Sequence, residues 1–233
     1  MNPLRKKYRA RRDQWRASLH RPQSRIGLHL DRHLVDHAYL RALYANFHSL
    51  DGQAYRSSQP SPRFVRKLAQ QGFKAIVNLR GANSSAAFAM EAEACALTGV
   101  TLINTQLNSR RLPSVEEINR LADIFAQVDT PFVIHCKSGA DRAGLASALY
   151  LLIVQQASAA EAKQQLSLKY FHLAHSKTGI LGYFLDCYGQ FNAQQPTPFM
   201  DWVNHHYQPE RLHSGFTPSG LSSWLVDKVL HRE

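Results

Sequence analysis

Residues Phe132 to Gly144, FVIHCKSGADRAG, restrict what this chain can fold into more than any other stretch. Phe132-Val133-Ile134 is an apolar run of the length of a buried strand. Small residues follow, and from Ala143 onward Leu145, Ala146, Leu149, Leu152 and Ile153 recur at helical spacing. The pattern predicts strand, tight loop and helix N-terminus in immediate succession. A helix start leaves N–H groups without intrahelical partners and carries partial positive charge. A loop of Gly, Ser and Ala can curl so that more N–H groups converge on one tetrahedral anion. Cys136 lies at the mouth of this cradle. Arg142 lies at its far end, where a planar fork of donors matches two phosphate oxygens. The field that draws a phosphate also stabilises a thiolate, so Cys136 reads as a nucleophile; the plainer alternative is an inert, buried strand-end cysteine.

His135-Cys136, five intervening residues and Arg142 resemble the HC-x5-R loop of the cysteine-dependent protein tyrosine and dual-specificity phosphatases, with Gly139 and Gly144 where that family has glycine. The resemblance implies Cys136 as nucleophile and Arg142 as phosphate clamp, with His135, Lys137, Ser138, Gly139 and Ala140 forming the phosphate loop. It implies no cofactor and no metal. Tyr55-Arg56-Ser57-Ser58-Gln59-Pro60 followed by Asn78-Leu79-Arg80 is similar to an atypical, bacterial-type dual-specificity branch. On that likeness Arg56 and Arg80 face the phosphate pocket; read alone, each is a polar strand-end residue. Relatives carry a proton-donating Asp on a mobile loop, but here Leu107 to Pro113 has none and offers Arg110 and Arg111. These two suggest a positive rim or simply solvated loop cations. Asp141 stands directly before Arg142, as in family members with an HC-x-x-G-x-D-R loop, and is the candidate proton donor; Glu116 and Glu117 are the alternatives. Ala143 replaces the Ser or Thr that follows the Arg in many relatives. Lys137 is similar to the lysine of phospholipid phosphatases with HCK loops, without their second loop lysine.

The flanking sequence supplies the rest of an α/β domain. Tyr55-Arg56-Ser57 reads as an edge strand, Lys74–Arg80 and Val100–Gln106 as further strands. Helices are expected over 36–47, from Ser61 to Gln71, over 86–98 and from the Ser114 capping box to Val128. Beyond the loop, helices are expected at 158–170, 178–191, 199–207 and 219–230. The alternation predicts a central, mostly parallel sheet of 4–5 strands flanked by helices, with a helical C-terminal half. Ligands of such sheets sit beyond the carboxyl ends of the strands, so the ends of strands 74–80, 100–106 and 132–135 are expected to surround Cys136.

Charge divides the chain into residues 1–25 and 26–233. Nine Lys or Arg against Asp13 alone give the first segment +8 of the chain's +11. On a helix, Leu4, Tyr8, Trp15 and Leu19 share a sector, so the arm suits an anionic membrane surface. It could equally be a tail, or a helix docked on its own domain. Nucleic acid is not expected. His29, His33 and His37 share a helical face but lack the further ligands of a metal site. Three widely spaced cysteines, no apolar leader and an uncharged run limited to Ala143–Gln156 suggest a cytoplasmic protein, with the arm able to bring it to the inner membrane surface.

The sequence therefore reads as a metal-independent phosphomonoesterase of the tyrosine/dual-specificity type, acting through phosphocysteine on phosphorylated proteins. The alternatives are a phosphatase of anionic phospholipid or inositol phosphates, and a phosphate-binding pseudophosphatase.

Overall fold

A computed structural model of the chain describes residues 3–18, 21, 23–24, 26–28 and 45–213. Its sheet has five strands: β1 (His48–Ser49), β2 (Ala54–Ser58), β3 (Ala75–Asn78), β4 (Thr101–Asn104) and β5 (Phe132–Cys136), in the order β1-β2-β5-β3-β4. β2, β3 and β4 run parallel to the strands beside them around central β5, and only the two-residue β1 is antiparallel. The helices are α1 (Pro3–Ala17), α2 (Pro62–Gln70), α3 (Ala86–Thr98), α4 (Val115–Gln127), α5 (Arg142–Ile153), α6 (Ala159–Lys163), α7 (Ile180–Gln194), α8 (Phe199–His205) and α9 (Pro209–His213).

Local chemistry sets the helix starts. Ser61, Ser85, Ser114 and Ser158 each accept an amide hydrogen bond from the first turn, and Glu117 and Glu161 complete capping boxes. Strand alternation then sorts side chains onto two faces. Val133 and Ile76 pack with Val65, Leu68 and Cys95 under α2 and α3. Phe132, Ile134 and Val77 pack with residues of α4, α5 and α7 on the other face. Each fully buried Phe, Ile or Leu contributes about 1.5–3 kcal/mol.

Three expectations need correction. Tyr55–Ser57 is no edge strand: β2 lies between β1 and β5, with Arg56 opposite both His48 and Ile134. The helix expected over 158–170 breaks into α6 and a 3-10 turn, Leu168–Tyr170. The sheet places β4 beyond β3, so its end does not adjoin β5. Of the helix expected at 36–47, residues 45–47 are not helical; 36–44 lie outside the described residues, as do the helix at 219–230 and His29, His33 and His37. Among the described residues no helix is long and apolar enough to cross a membrane.

Basic helix α1 lies against the domain. Trp15 packs on Leu28, Ala86 and Met90, and Gly27 permits this because a Cβ there would fall 2.6 Å from the indole. The aromatic residue that suited a membrane surface is thus used on the chain's own core.

Candidate active site

β5 ends at Cys136 and α5 begins at Arg142, so the loop between them closes over the carboxyl end of the central strand. Four successive loop carbonyls are held from outside. Lys137 O accepts from Gln59 N at 3.3 Å, and Ser138 O from Asn46 Nδ2 at 3.3 Å. Gly139 O and Ala140 O accept from Arg56 Nη2 at 2.6 and 3.2 Å. In a trans peptide the following N–H points opposite to the carbonyl. Anchoring these carbonyls outward therefore turns the N–H groups of Ser138, Gly139 and Asp141 inward, while Ala140 N–H donates to Ser138 Oγ at 3.4 Å. Gly139 has φ +78°, and a Cβ on it would lie 2.7 Å from Ser58 N. Gly144 lets α5 approach the turn at Gln165, whose carbonyl would meet a Cβ at 2.8 Å.

Arg56 is the post behind this loop and is fully buried. Its Nη1 donates to Gln165 O and Oε1 at 2.7 and 2.8 Å, and its guanidinium lies 3.9 Å from the Tyr170 ring centroid. Burial pulls its pKa down to about 10, against the opposing charges of Tyr170, Cys136 and Asp141. Two further networks brace the loop. His135 places Nε2 2.8 Å from Glu91 Oε1 and Nδ1 3.2 Å from Cys136 O. Glu91 Oε2 accepts from Gln59 Nε2 at 2.8 Å, and Gln59 Oε1 accepts from Arg80. At the other end of the loop, Asp141 Oδ1 lies 2.8 Å from His172 Nδ1, with the two side chains only 5% and 0% exposed.

The front of the loop is open. A basin of about 350 Å³ is lined by Arg12, Arg80, Asn83, Ser84, Ser85, Lys137 and Arg142. The Arg142 side chain makes no hydrogen bond or ion pair with any described residue, leaving its guanidinium to the basin. The residues on either side of the loop, Lys137 and Arg142, thus border a cation-lined hollow, while Cys136 itself is buried at the end of β5 and is not among the lining residues.

A protein-family model, DSP-PTPase phosphatase fused to NAD+ kinase (PTP-NADK), matches residues 45–180, more than half of the chain. The chain belongs to this family. It is a cysteine-dependent phosphatase of the dual-specificity superfamily. A DUF442 protein of Shewanella putrefaciens CN-32 is 16% identical over 65% of this chain and 97% of its own, with a TM-score of 0.50. The core catalytic domain of the PP-IP phosphatase Siw14 from S. cerevisiae is 19% identical over 65% and 94%, again with a TM-score of 0.50. At these identities the likeness is one of fold. No curated protein matches the chain.

Within this phosphatase several residues stand elsewhere than expected. Arg56 does not face the pocket: strand alternation sends it beneath the loop, where carbonyls take its donors. His135 is also fully buried, on the α3 face, and cannot touch substrate. Arg111 is bound by Glu117 through two bonds of 2.8 and 2.6 Å, and neither Arg110 nor Arg111 lines the basin. Glu117 is occupied by the capping box as well, and Glu116 does not line the basin either. Asp141 makes no cap bond to α5; its carboxylate turns to His172. Lys137, Arg80 and Arg142 do line the basin together, whereas Ser138 and Ala140 lie buried in the loop. Of the other cysteines, Cys95 is pushed up to about 12, by burial first and then by Glu91, and burial also raises Cys187.

Sequence reasoning missed Asn46, Gln59, Glu91, Gln165, His172 and Arg12. Gln59 and Arg12 carried partial signals, one inside the Tyr-Arg-Ser-x-Gln-Pro segment and the other inside the basic arm. The rest are single polar residues in unremarkable surroundings, 31 to 124 positions from their partners where those lie on the loop or its flanking turn.

Proposed function

We propose that this phosphatase hydrolyses phosphomonoesters through a phosphocysteine, without a metal. Cys136 Sγ, as the thiolate, attacks phosphorus opposite the ester oxygen; the S–P bond forms as the P–O bond breaks. The leaving oxygen takes a proton from water in the open basin. A second water then attacks the phosphocysteine, releasing phosphate and returning the thiolate. Arg142 and the N–H groups of Ser138, Gly139 and Asp141 hold the equatorial oxygens, and Lys137 adds positive charge at the mouth. The observation that carries this reading is the outward anchoring of four successive loop carbonyls, which aims amides at the space above Cys136.

Asp141 enters this scheme as a brace for the loop, because its carboxylate is engaged by His172. Phosphorylated proteins are the substrate class that the family implies. A second reading, inositol phosphates or anionic phospholipid headgroups, is favoured by the four cations of the basin. Hydrolysis of an aryl phosphate in the presence of a chelator tests the mechanism. The wild-type chain turns over and traps radiolabelled phosphate on Cys136, and Cys136→Ser loses at least about 10⁴-fold in rate. An inert wild type, or an active Cys136→Ser variant, sinks the proposal.

A further inference from the structure

We infer that α1 forms a wall of the active-site basin and that Arg12 binds a second phosphoryl group of the substrate, beside the one that Cys136 attacks. The inference rests on the phosphatase reading above, because it extends the same basin.

Arg12 shares the basin with Arg80, Lys137 and Arg142, and among the described residues no acidic side chain lines it. Among the described residues, Arg12 has one hydrogen bond, from Nη2 to the neutral Ser84 Oγ at 2.9 Å. The arm's own acid, Asp13, pairs with Arg16 at 3.5 Å and leaves Arg12 without a carboxylate. Cations gathered about one hollow repel each other until an anion offsets them. A single phosphoryl group is already met by Arg142 and the inward amides, so Arg12 is charge in excess of what one group needs.

Space agrees with charge. The hollow of about 350 Å³ is open to solvent and is larger than one phosphoryl group fills. The position of Arg12 is also built into the fold. Trp15 is seated on Leu28, Ala86 and Met90, and Arg16 Nη2 reaches Asn83 O at 3.5 Å, on a segment that also lines the basin. α1 lies outside the matched residues 45–180, so this wall is an addition to the family domain.

Calorimetric titration of the full chain with inorganic phosphate and with methylenebisphosphonate separates one-anion from two-anion binding. The wild type binds the bisphosphonate at least about tenfold more tightly, the size of one charge-assisted contact. Arg12→Gln removes most of that preference, Arg12→Lys retains part of it, and Lys6→Gln, the same loss of charge at an exposed position of α1, preserves it. Circular dichroism and the melting midpoint establish that each variant is folded. Equal affinity of the wild type for both probes overturns the inference. So does a preference that survives Arg12→Gln, or an equal weakening of both probes by that change. Aryl phosphate hydrolysis measured in parallel keeps the two readings apart: a retained, Arg12-dependent preference in an inert enzyme would sink the mechanism and leave the second-anion site standing.

Discussion

The two sides of the loop from Lys137 to Asp141 are built on opposite principles. Behind it, Arg56, Asn46, Gln59, Glu91, His135 and His172 are buried, and each has a protein partner. In front of it, Arg12, Arg80, Lys137 and Arg142 border an open basin with no acidic residue among them. Arginine serves both sides. Arg56 gives its donors to four protein oxygens, whereas Arg142 keeps its donors for a ligand. Buried polar groups must be satisfied at fixed geometry, so the back can hold the amides in register. A guanidinium bordering water costs little to leave without a protein partner, so Arg142 can wait for substrate.

Changes at the front should therefore cost rate, and changes at the back should cost stability first. Arg142→Gln should lower kcat/KM for an aryl phosphate by about 10²–10³-fold, as loss of a transition-state donor does, with the urea midpoint nearly unmoved. A comparable fall in stability would erase the distinction. Arg56→Met should destabilise by about 3 kcal/mol in urea unfolding, because two loop carbonyls and Gln165 lose a buried, charged donor. A fully stable variant would mean that the loop stands without its post. Asp141→Asn should slow aryl and alkyl phosphates by the same factor, about tenfold, since a brace affects both alike. A loss confined to the alkyl ester, whose leaving group needs a proton more, would restore Asp141 as the acid. Arg111→Gln should cost no more than about 1 kcal/mol and leave turnover within about twofold, because its surface pair with Glu117 lies outside the basin.

β3 and β5 were legible as short apolar runs, and α2, α3, α4 and α6 by the serines that cap them within three residues. The back of the site was not. Arg56 read as a strand-end residue facing substrate, because nothing nearby in sequence announces Gln165, 109 positions away. Arg110 and Arg111 read as a rim or as solvated cations for the same reason in reverse: their loop looked free, but Glu117 folds back on Arg111. The basic arm showed its charge and its aromatic sector, but not the hollow in the domain that receives Trp15.

By itself, the sequence determined that a strand, a glycine loop and a helix start bring Cys136 and Arg142 to one place, since contacts across a few residues follow from local backbone preference. Only the tertiary structure decided which arginine supports and which one binds. That choice depends on which side of β2 a side chain leaves and on what the remote turns at Gln165 and His172 and the docked helix α1 place beside it.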